Sequence, residues 1–206
     1  MQGKVVIVTG ASSGIGRAAA ILFANKGSTV IAVGRNGREL TAAAQMVTSK
    51  KGVLRPVLAD VSEQTQRERI VTETIDNCGK IDVLVNSAGI IKNGNIETTT
   101  LDDWDKMMDI NLRSVFALTQ RVLPYLIETK GNIVNVSSVA GTRSFPNVLA
   151  YCVSKAAIDQ FTRCTALELA SRRVRVNAVN PGVVVTNIHK RGGMDEASYE
   201  ACLEHS

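Results

Sequence analysis

An α/β fold with a doubly wound parallel sheet is what this sequence predicts, and three observations predict it. Short apolar runs alternate with longer helical stretches through the 206 residues, as they do where parallel strands are joined by helices. The first run, Lys4-Val5-Val6-Ile7-Val8-Thr9, is continuously apolar between its end residues, the form of a strand covered on both faces. It leads straight into Gly10-Ala11-Ser12-Ser13-Gly14-Ile15-Gly16, where glycines let the backbone turn sharply from strand into helix.

The elements then follow in order. After the strand over 4–9 a helix spans 14–26, and Ser28-Thr29-Val30-Ile31-Ala32-Val33 supplies the β-branched residues of a strand over 28–33. A helix over 38–50 closes at Lys50-Lys51, cations that suit the negative end of a helix dipole. Strands over 53–58 and 81–85 flank a helix over 63–78, and a long helical region over 101–129 carries a break near Asn111. A strand over 131–136, a helix over 149–171 ending at Arg172-Arg173, and a strand over 173–179 complete the alternation. Right-handed crossovers make such a sheet doubly wound, with ligands bound at the carboxyl ends of its strands.

Composition agrees with one domain over 1–206: 45% of residues are hydrophobic and 21% charged, ordinary globular usage. No apolar run reaches the roughly 18 residues of a membrane span, and the first strand begins by Lys4 with no leader before it, so a soluble, cytoplasmic protein without a membrane partner is expected. The net charge of +5 is scattered and not interleaved with aromatics, which argues against nucleic acid as a partner. Cys78, Cys152, Cys164 and Cys202 lack metal-ligand spacing, and only His189 and His205 stand ready to help them, so no metal site and four free thiols are expected.

Two motifs carry chemistry. The glycine loop lets backbone approach a pyrophosphate, and the helix beginning near Ile15 turns free N–H groups and a positive dipole end toward it. Gly10, Ser12, Ser13, Gly14, Ile15 and Gly16 therefore form a dinucleotide cradle. In Tyr151-Cys152-Val153-Ser154-Lys155 a phenol and an ammonium stand four residues apart on one helix face. A cation beside a tyrosine stabilises its phenolate and draws its pKa down toward neutrality.

Taken with Asp60-Val61, Asn86-Ser87-Ala88-Gly89, Asn111, Ser137-Ser138 and Pro181-Gly182-(x)3-Thr186, these motifs resemble the short-chain dehydrogenase/reductase family in order and spacing. The overall look is similar to 3-oxoacyl-carrier-protein reductases of bacterial type and their animal relatives. The family usually has a second asparagine where this chain has Ser87. The resemblance implies a three-layered Rossmann fold and hydride transfer between a nicotinamide and a carbonyl or alcohol substrate. It also implies that Tyr151 is the proton partner, that Lys155 lowers its pKa and bonds the nicotinamide ribose, and that Ser138 bonds the substrate oxygen. Asn111 would hold a water that links the lysine to solvent.

By the same resemblance Asp60 and Val61 take the adenine end, and Asn86, Ala88 and Gly89 the adenosine ribose side. Pro181, Gly182, Val184 and Thr186 clasp the nicotinamide. Asp60 equally suits a cap for the helix near Ser62, and Ala88-Gly89 a turn. An acidic residue at the end of the second strand suits NAD, and an arginine there suits the 2′-phosphate of NADP; Gly34-Arg35 therefore favours NADP(H) over NAD(H). The substrate pocket is expected from Thr142–Val148, from Val183, and from Asn187 onward, where Arg143, Phe145 and Asn147 admit either a polar or an apolar ligand.

Family members continue past the position of Ser206 through a further helix and a seventh strand. A shortened carboxyl end without that last strand is expected, with 173–179 left as an open edge. A homo-oligomer is expected where the carboxyl-terminal segment is present. The shortened end also keeps open the alternative of a cofactor- or partner-binding protein without turnover.

Overall fold

In the computed structural model, residues 1–186, 188, 192 and 193 are described. Six strands, β1 (Val5–Thr9), β2 (Thr29–Gly34), β3 (Val53–Leu58), β4 (Val83–Asn86), β5 (Asn132–Val136) and β6 (Arg175–Val179), form one sheet in the order β3-β2-β1-β4-β5-β6. Every pairing is parallel. β1 lies beside both β2 and β4, with Val6 in register with Val30 on one side and Val83 on the other. That reversal of strand order is the switch point at which doubly wound sheets open a crevice.

Alternation along the strands builds two cores. Ile7, Ile31, Leu84 and Ile133 face one way and pack against Ile70 and Val71 of α3 (Gln64–Cys78), Leu118, Val122 and Leu126 of α5 (Ser114–Thr129), and Leu169 at the end of α6 (Leu149–Leu169). Val6, Val8, Val30, Ala32 and Val85 face the other way, onto Ala20 and Ala24 of α1 (Gly14–Asn25) and Leu40 and Ala43 of α2 (Gly37–Gln45). The small alanines of α1 let that helix lie close on the sheet. The result is three layers, with β6 paired to β5 alone among the described strands.

The strand starts are pinned at their amino ends by Asp82, only 3% exposed. Its carboxylate accepts from Val5 N at 2.9 Å and Lys4 Nζ at 2.7 Å, and pairs with Lys80 at 3.0 Å. At the opposite edge, Pro56 stands in β3, an edge position where its missing N–H costs no ladder bond.

The elements follow the expected boundaries with one correction: the helix expected over 38–50 ends at Gln45. Asn25, at the end of α1, takes over the donors beyond it, its Oδ1 accepting from Thr48 N at 2.8 Å and Ser49 N at 3.0 Å. The break near Asn111 is present as a five-residue π-helical segment, Asp109–Arg113, between α4 (Leu101–Met108) and α5. Among the described residues no helix is long and apolar enough to cross a membrane, and no cluster of His, Cys, Asp and Glu could hold a metal.

Candidate active site

The carboxyl ends of the strands open on one cavity of about 510 Å³. Gly10 begins its wall in the left-handed region at φ 68°, and a Cβ there would stand 2.8 Å from Ala88 N and from Ser87 O. The loops after β1 and β4 therefore touch through backbone alone. Thr9 fastens them, its Oγ1 accepting from Ser87 N and Ala88 N at 3.1 Å each. A Cβ at Gly16 would meet Gly10 O at 2.5 Å, so α1 starts directly against the loop. Such a cradle of bare backbone at a helix start, whose first N–H groups have no intrahelical partner, fits the pyrophosphate of a dinucleotide.

All six cradle residues line the cavity, as do Arg35, Asp60, Val61, Ala88, Gly89, Pro181, Gly182, Val184 and Thr186. Asp60 does not cap α3, whose cap position is Glu63. Its Oδ1 instead accepts from Ser62 N at 3.0 Å and Ser62 Oγ at 2.7 Å, and Oδ2 lies 3.5 Å from Arg35. Burial works to raise the Asp60 carboxyl, but the Ser62 hydrogen bonds and the Arg35 charge outweigh it and hold it below its ordinary value. Arg35 is 62% exposed along its side chain, and Gly34 beside it has Ser12 Oγ 3.1 Å from where a Cβ would be.

Asn86 departs from expectation. Its side chain is turned into the sheet, where Nδ2 donates to Asn135 Oδ1 at 2.9 Å and to Thr119 Oγ1 at 3.4 Å, and it does not line the cavity. It joins β4 to β5 and α5, and its neighbour Ser87 takes the lining position.

Ser138, Tyr151 and Lys155 come together in the same cavity. Ser138 follows β5 and is the N-cap of a short 3₁₀ turn, Val139–Gly141, with its Oγ accepting from Ala140 N at 3.1 Å. The Ser138 side chain lies near enough to the Tyr151 phenol to favour its ionised form. Lys155 is only 5% exposed; its Nζ donates to Val136 O at 2.8 Å and lies 5.6 Å from the centroid of the Tyr151 ring. Burial lowers the Lys155 pKa to about 8, against the pull of the Asp159 carboxylate. Burial likewise raises the Tyr151 phenol, and Ser138 offsets only part of the rise. In place of the expected lowering by Lys155, the phenol lies above its ordinary value, with burial the largest influence.

Asn111 is 1% exposed and does not line the cavity. Its Oδ1 accepts from Ile90 N at 2.8 Å, and its Nδ2 donates to Ile90 O at 2.9 Å and to Ser154 Oγ at 3.0 Å. It ties the loop after β4 to α6 one residue before Lys155. A Cβ on Gly89 would lie 3.3 Å from Asn111 Oδ1 and 3.7 Å from Lys155 Nζ, so both groups close in on that glycine.

Of the expected substrate pocket, Phe145, Pro146, Val148 and Val183 line the cavity, whereas Arg143 and Asn147 do not. Asn147 adopts φ 59° and its carbonyl accepts from Gly94 N at 2.8 Å. Asn187, His189, Cys202 and His205 lie outside the described residues. Cys78, Cys152 and Cys164 are free thiols. Ile90, Ile91 and Ile110 also line the cavity; they are apolar residues in loops and helices whose sequence positions gave no periodic signal.

Comparison with known proteins accords with this geometry. The family model described as short chain dehydrogenase matches residues 4–197. The chain belongs to the short-chain dehydrogenase family. This short-chain dehydrogenase is 41% identical to the 3-oxoacyl-[acyl-carrier-protein] reductase FabG of Thermotoga maritima, over 98% of the chain and 82% of that protein. It is 37% identical to D-threitol dehydrogenase of Mycolicibacterium smegmatis, over 92% and 74% of the two chains. Among solved structures, levodione reductase superposes with a TM-score of 0.93 at 33% identity, covering all of this chain and 82% of that one. A short-chain dehydrogenase/reductase from Caenorhabditis elegans, solved with cofactor, gives 0.90 at 38% identity, over 97% and 77%. The family binds a nicotinamide cofactor and acts on alcohol and carbonyl groups.

Proposed function

We propose that this short-chain dehydrogenase is NADP(H)-dependent and works as a carbonyl reductase, with Tyr151 as its proton donor. The observation that carries the reading is the meeting of Ser138, Tyr151 and the buried Lys155 on the wall of the same cavity that the glycine loop lines. Gly10, Ser12, Ser13, Gly14, Ile15 and Gly16 would hold the pyrophosphate, Asp60 and Val61 the adenine, Ala88 and Gly89 its ribose, and Pro181, Gly182, Val184 and Thr186 the nicotinamide. Bound there, the nicotinamide supplies the hydride chemistry.

The chain's own residues handle the oxygen. A phenol kept protonated by burial is suited to giving its proton to a substrate oxygen, which is the direction of reduction. Ser138 Oγ donates to that same oxygen and stabilises the charge that grows on it. Lys155, with a pKa of about 8, is mostly cationic at neutral pH; it steadies the tyrosine's electron pair once the proton has left and bonds the nicotinamide ribose. Asn111 holds the lysine's surroundings through Ile90 and Ser154. Preference for NADP(H) is supported by Arg35 on the cavity wall and by Gly34, which offers no carboxylate to a 2′-hydroxyl.

The apolar walls around Tyr151, among them Val139, Ala140, Phe145 and Val148, favour a ketone with apolar flanks. Purified chain titrated with NADPH and NADH, followed by turnover on ketones, 3-oxoacyl thioesters and sugar alcohols, tests the reading. NADPH should bind at least about tenfold more tightly, and Tyr151→Phe should lose at least about 100-fold in turnover with NADPH binding intact. Tyr151→Phe at wild-type turnover would sink the assignment, and binding without turnover on any substrate would favour a cofactor-binding protein instead.

A further inference from the structure

Behind Ser138 lies a polar cluster that the scheme above does not use, in which Asp159 and Ser138 are buried and Asn180 is exposed. Asp159, 6% exposed, stands one helical turn beyond Lys155 on α6 and outside the cavity lining. Both of its carboxylate oxygens accept from Asn180 Nδ2, Oδ1 at 3.1 Å and Oδ2 at 2.9 Å, and the same nitrogen donates to the backbone oxygen of Ser138 at 3.0 Å. One N–H is thus shared by the carboxylate while the other reaches the serine.

The cluster joins three segments far apart in the chain: the turn after β5, helix α6 and the loop that begins after β6. It is also tightly packed. A Cβ on Gly141 would stand 2.3 Å from Asp159 Oδ2 and 3.0 Å from Lys155 O, so the turn that Ser138 caps rests on the carboxylate with no room for a methyl group. The Ser138 carbonyl accepts a second time, from Gly141 N at 2.9 Å. A carboxylate withdrawn from water is costly unless its partners are well aimed, and here the amide that satisfies it also bonds the backbone of Ser138.

We propose that Asp159 and Asn180 are positioning residues for the reaction: the carboxylate orients the Asn180 amide, the amide clamps the Ser138 carbonyl, and Ser138 Oγ is thereby held against Tyr151. The proposal rests on the roles given to Ser138 and Tyr151 above. The Asp159 charge, which also acts on Lys155, places both halves of the candidate machinery over one buried anion.

Steady-state kinetics of Asp159→Ala, Asn180→Ala and Asp159→Asn, with Tyr151→Phe in parallel, test it. Both alanine variants should lose at least about tenfold in kcat, with substrate KM and NADPH affinity within about threefold, because the geometry fails at the reacting oxygen and not in binding. Asp159→Asn keeps an acceptor for the Asn180 amide and should retain at least about a third of kcat. A second readout needs no turnover: exchange of the Ala140 and Gly141 amides with solvent, followed by NMR, should quicken at least about tenfold in Asn180→Ala while the β5 amides stay protected.

Loss of turnover in Tyr151→Phe, with folded alanine variants at wild-type kcat, overturns the positioning role and leaves the catalytic reading standing. Full turnover in Tyr151→Phe, or none in the wild type, removes the catalytic reading; amide exchange then decides, unchanged protection at Ala140 and Gly141 overturning the clamp and tenfold faster exchange supporting it. Should the alanine variants fail to fold, Gly141→Ala carries the test: its methyl displaces Asp159 without removing a polar group, and an unchanged kcat overturns the proposal.

Discussion

Lys155 is a cation held where burial opposes its charge, and this makes its contribution to stability depend on pH in a definite direction. Below pH 8 the lysine is protonated in folded and unfolded chains alike, and folding bears the whole cost of burying the ammonium. Between pH 8 and its ordinary value of 10.5 the folded chain gives up the proton first, the unfolded chain binds more protons, and stability rises with pH. Above about pH 10 the Tyr151 phenol, pulled upward by burial, begins to act in the opposite sense. Urea unfolding of wild type and Lys155→Met should therefore show their difference shifting toward the wild type by on the order of 2 kcal/mol from pH 8 to pH 10. A difference that stays flat over that range would mean that the lysine is not desolvated. A second residue bears on cofactor choice. Gly34→Asp places a carboxylate beside Ser12, 3.1 Å from where its Cβ stands, and next to Arg35. NADPH affinity should fall at least about tenfold and NADH affinity should rise, as read by quenching or enhancement of nicotinamide fluorescence; unchanged selectivity would remove Gly34 and Arg35 from the NADP argument. At this scale Tyr151, Lys155 and Ser138 were legible because their spacing is local to a helix face or a strand end. Asn86 was not, because an asparagine at a strand end can turn toward a ligand or across the sheet, and the partner that decides it, Asn135, is 49 residues away.

The π-helical segment Asp109–Arg113 shows how one element is deformed to serve two others. Its Asn111 satisfies both the N–H and the C=O of Ile90 in the loop after β4 and also reaches Ser154 on α6, the kind of use at which π-segments recur. Asn111→Leu keeps the volume but leaves the half-buried Ile90 donor and acceptor without their partner. The variant should lose about 2–4 kcal/mol of stability, measured by thermal or urea unfolding, and a loss below about 0.5 kcal/mol would show that the loop relaxes to water. The break in the helix was legible from the chain, but the two groups it serves were not, because both belong to other elements. The end of α2 at Gln45 has the same cause. Nothing between 45 and 50 breaks a helix in itself, and the helix yields because Asn25, on α1, offers the backbone of Thr48 and Ser49 a different acceptor.

Seen whole, the strands are short apolar runs that a local window of the sequence carries, which is why they were found within two residues of their observed starts. The Asp159–Asn180–Ser138 cluster could not be found that way, since its members stand 21 and 42 residues apart and each is an ordinary polar residue until the fold joins them. Because the cavity draws its wall from loops after β1, β4, β5 and β6, a ligand that fills it stabilises the entire domain and no single part of it. NADPH at about 100 times its dissociation constant should add about 2.7 kcal/mol to unfolding, seen as a higher melting temperature than with NADH at the same concentration; equal shifts for the two would contradict the cofactor preference. The adjacency of β1 and β4 has a further consequence in time. As the chain leaves the ribosome, the glycine loop is made first, yet it cannot close until β4 has emerged and docked against β1, and the reacting side chains arrive later still with α6 and Pro181. Cofactor therefore cannot chaperone the early chain. The nascent protein must reach most of its final topology on the strength of its own core before there is anything for a nucleotide to hold.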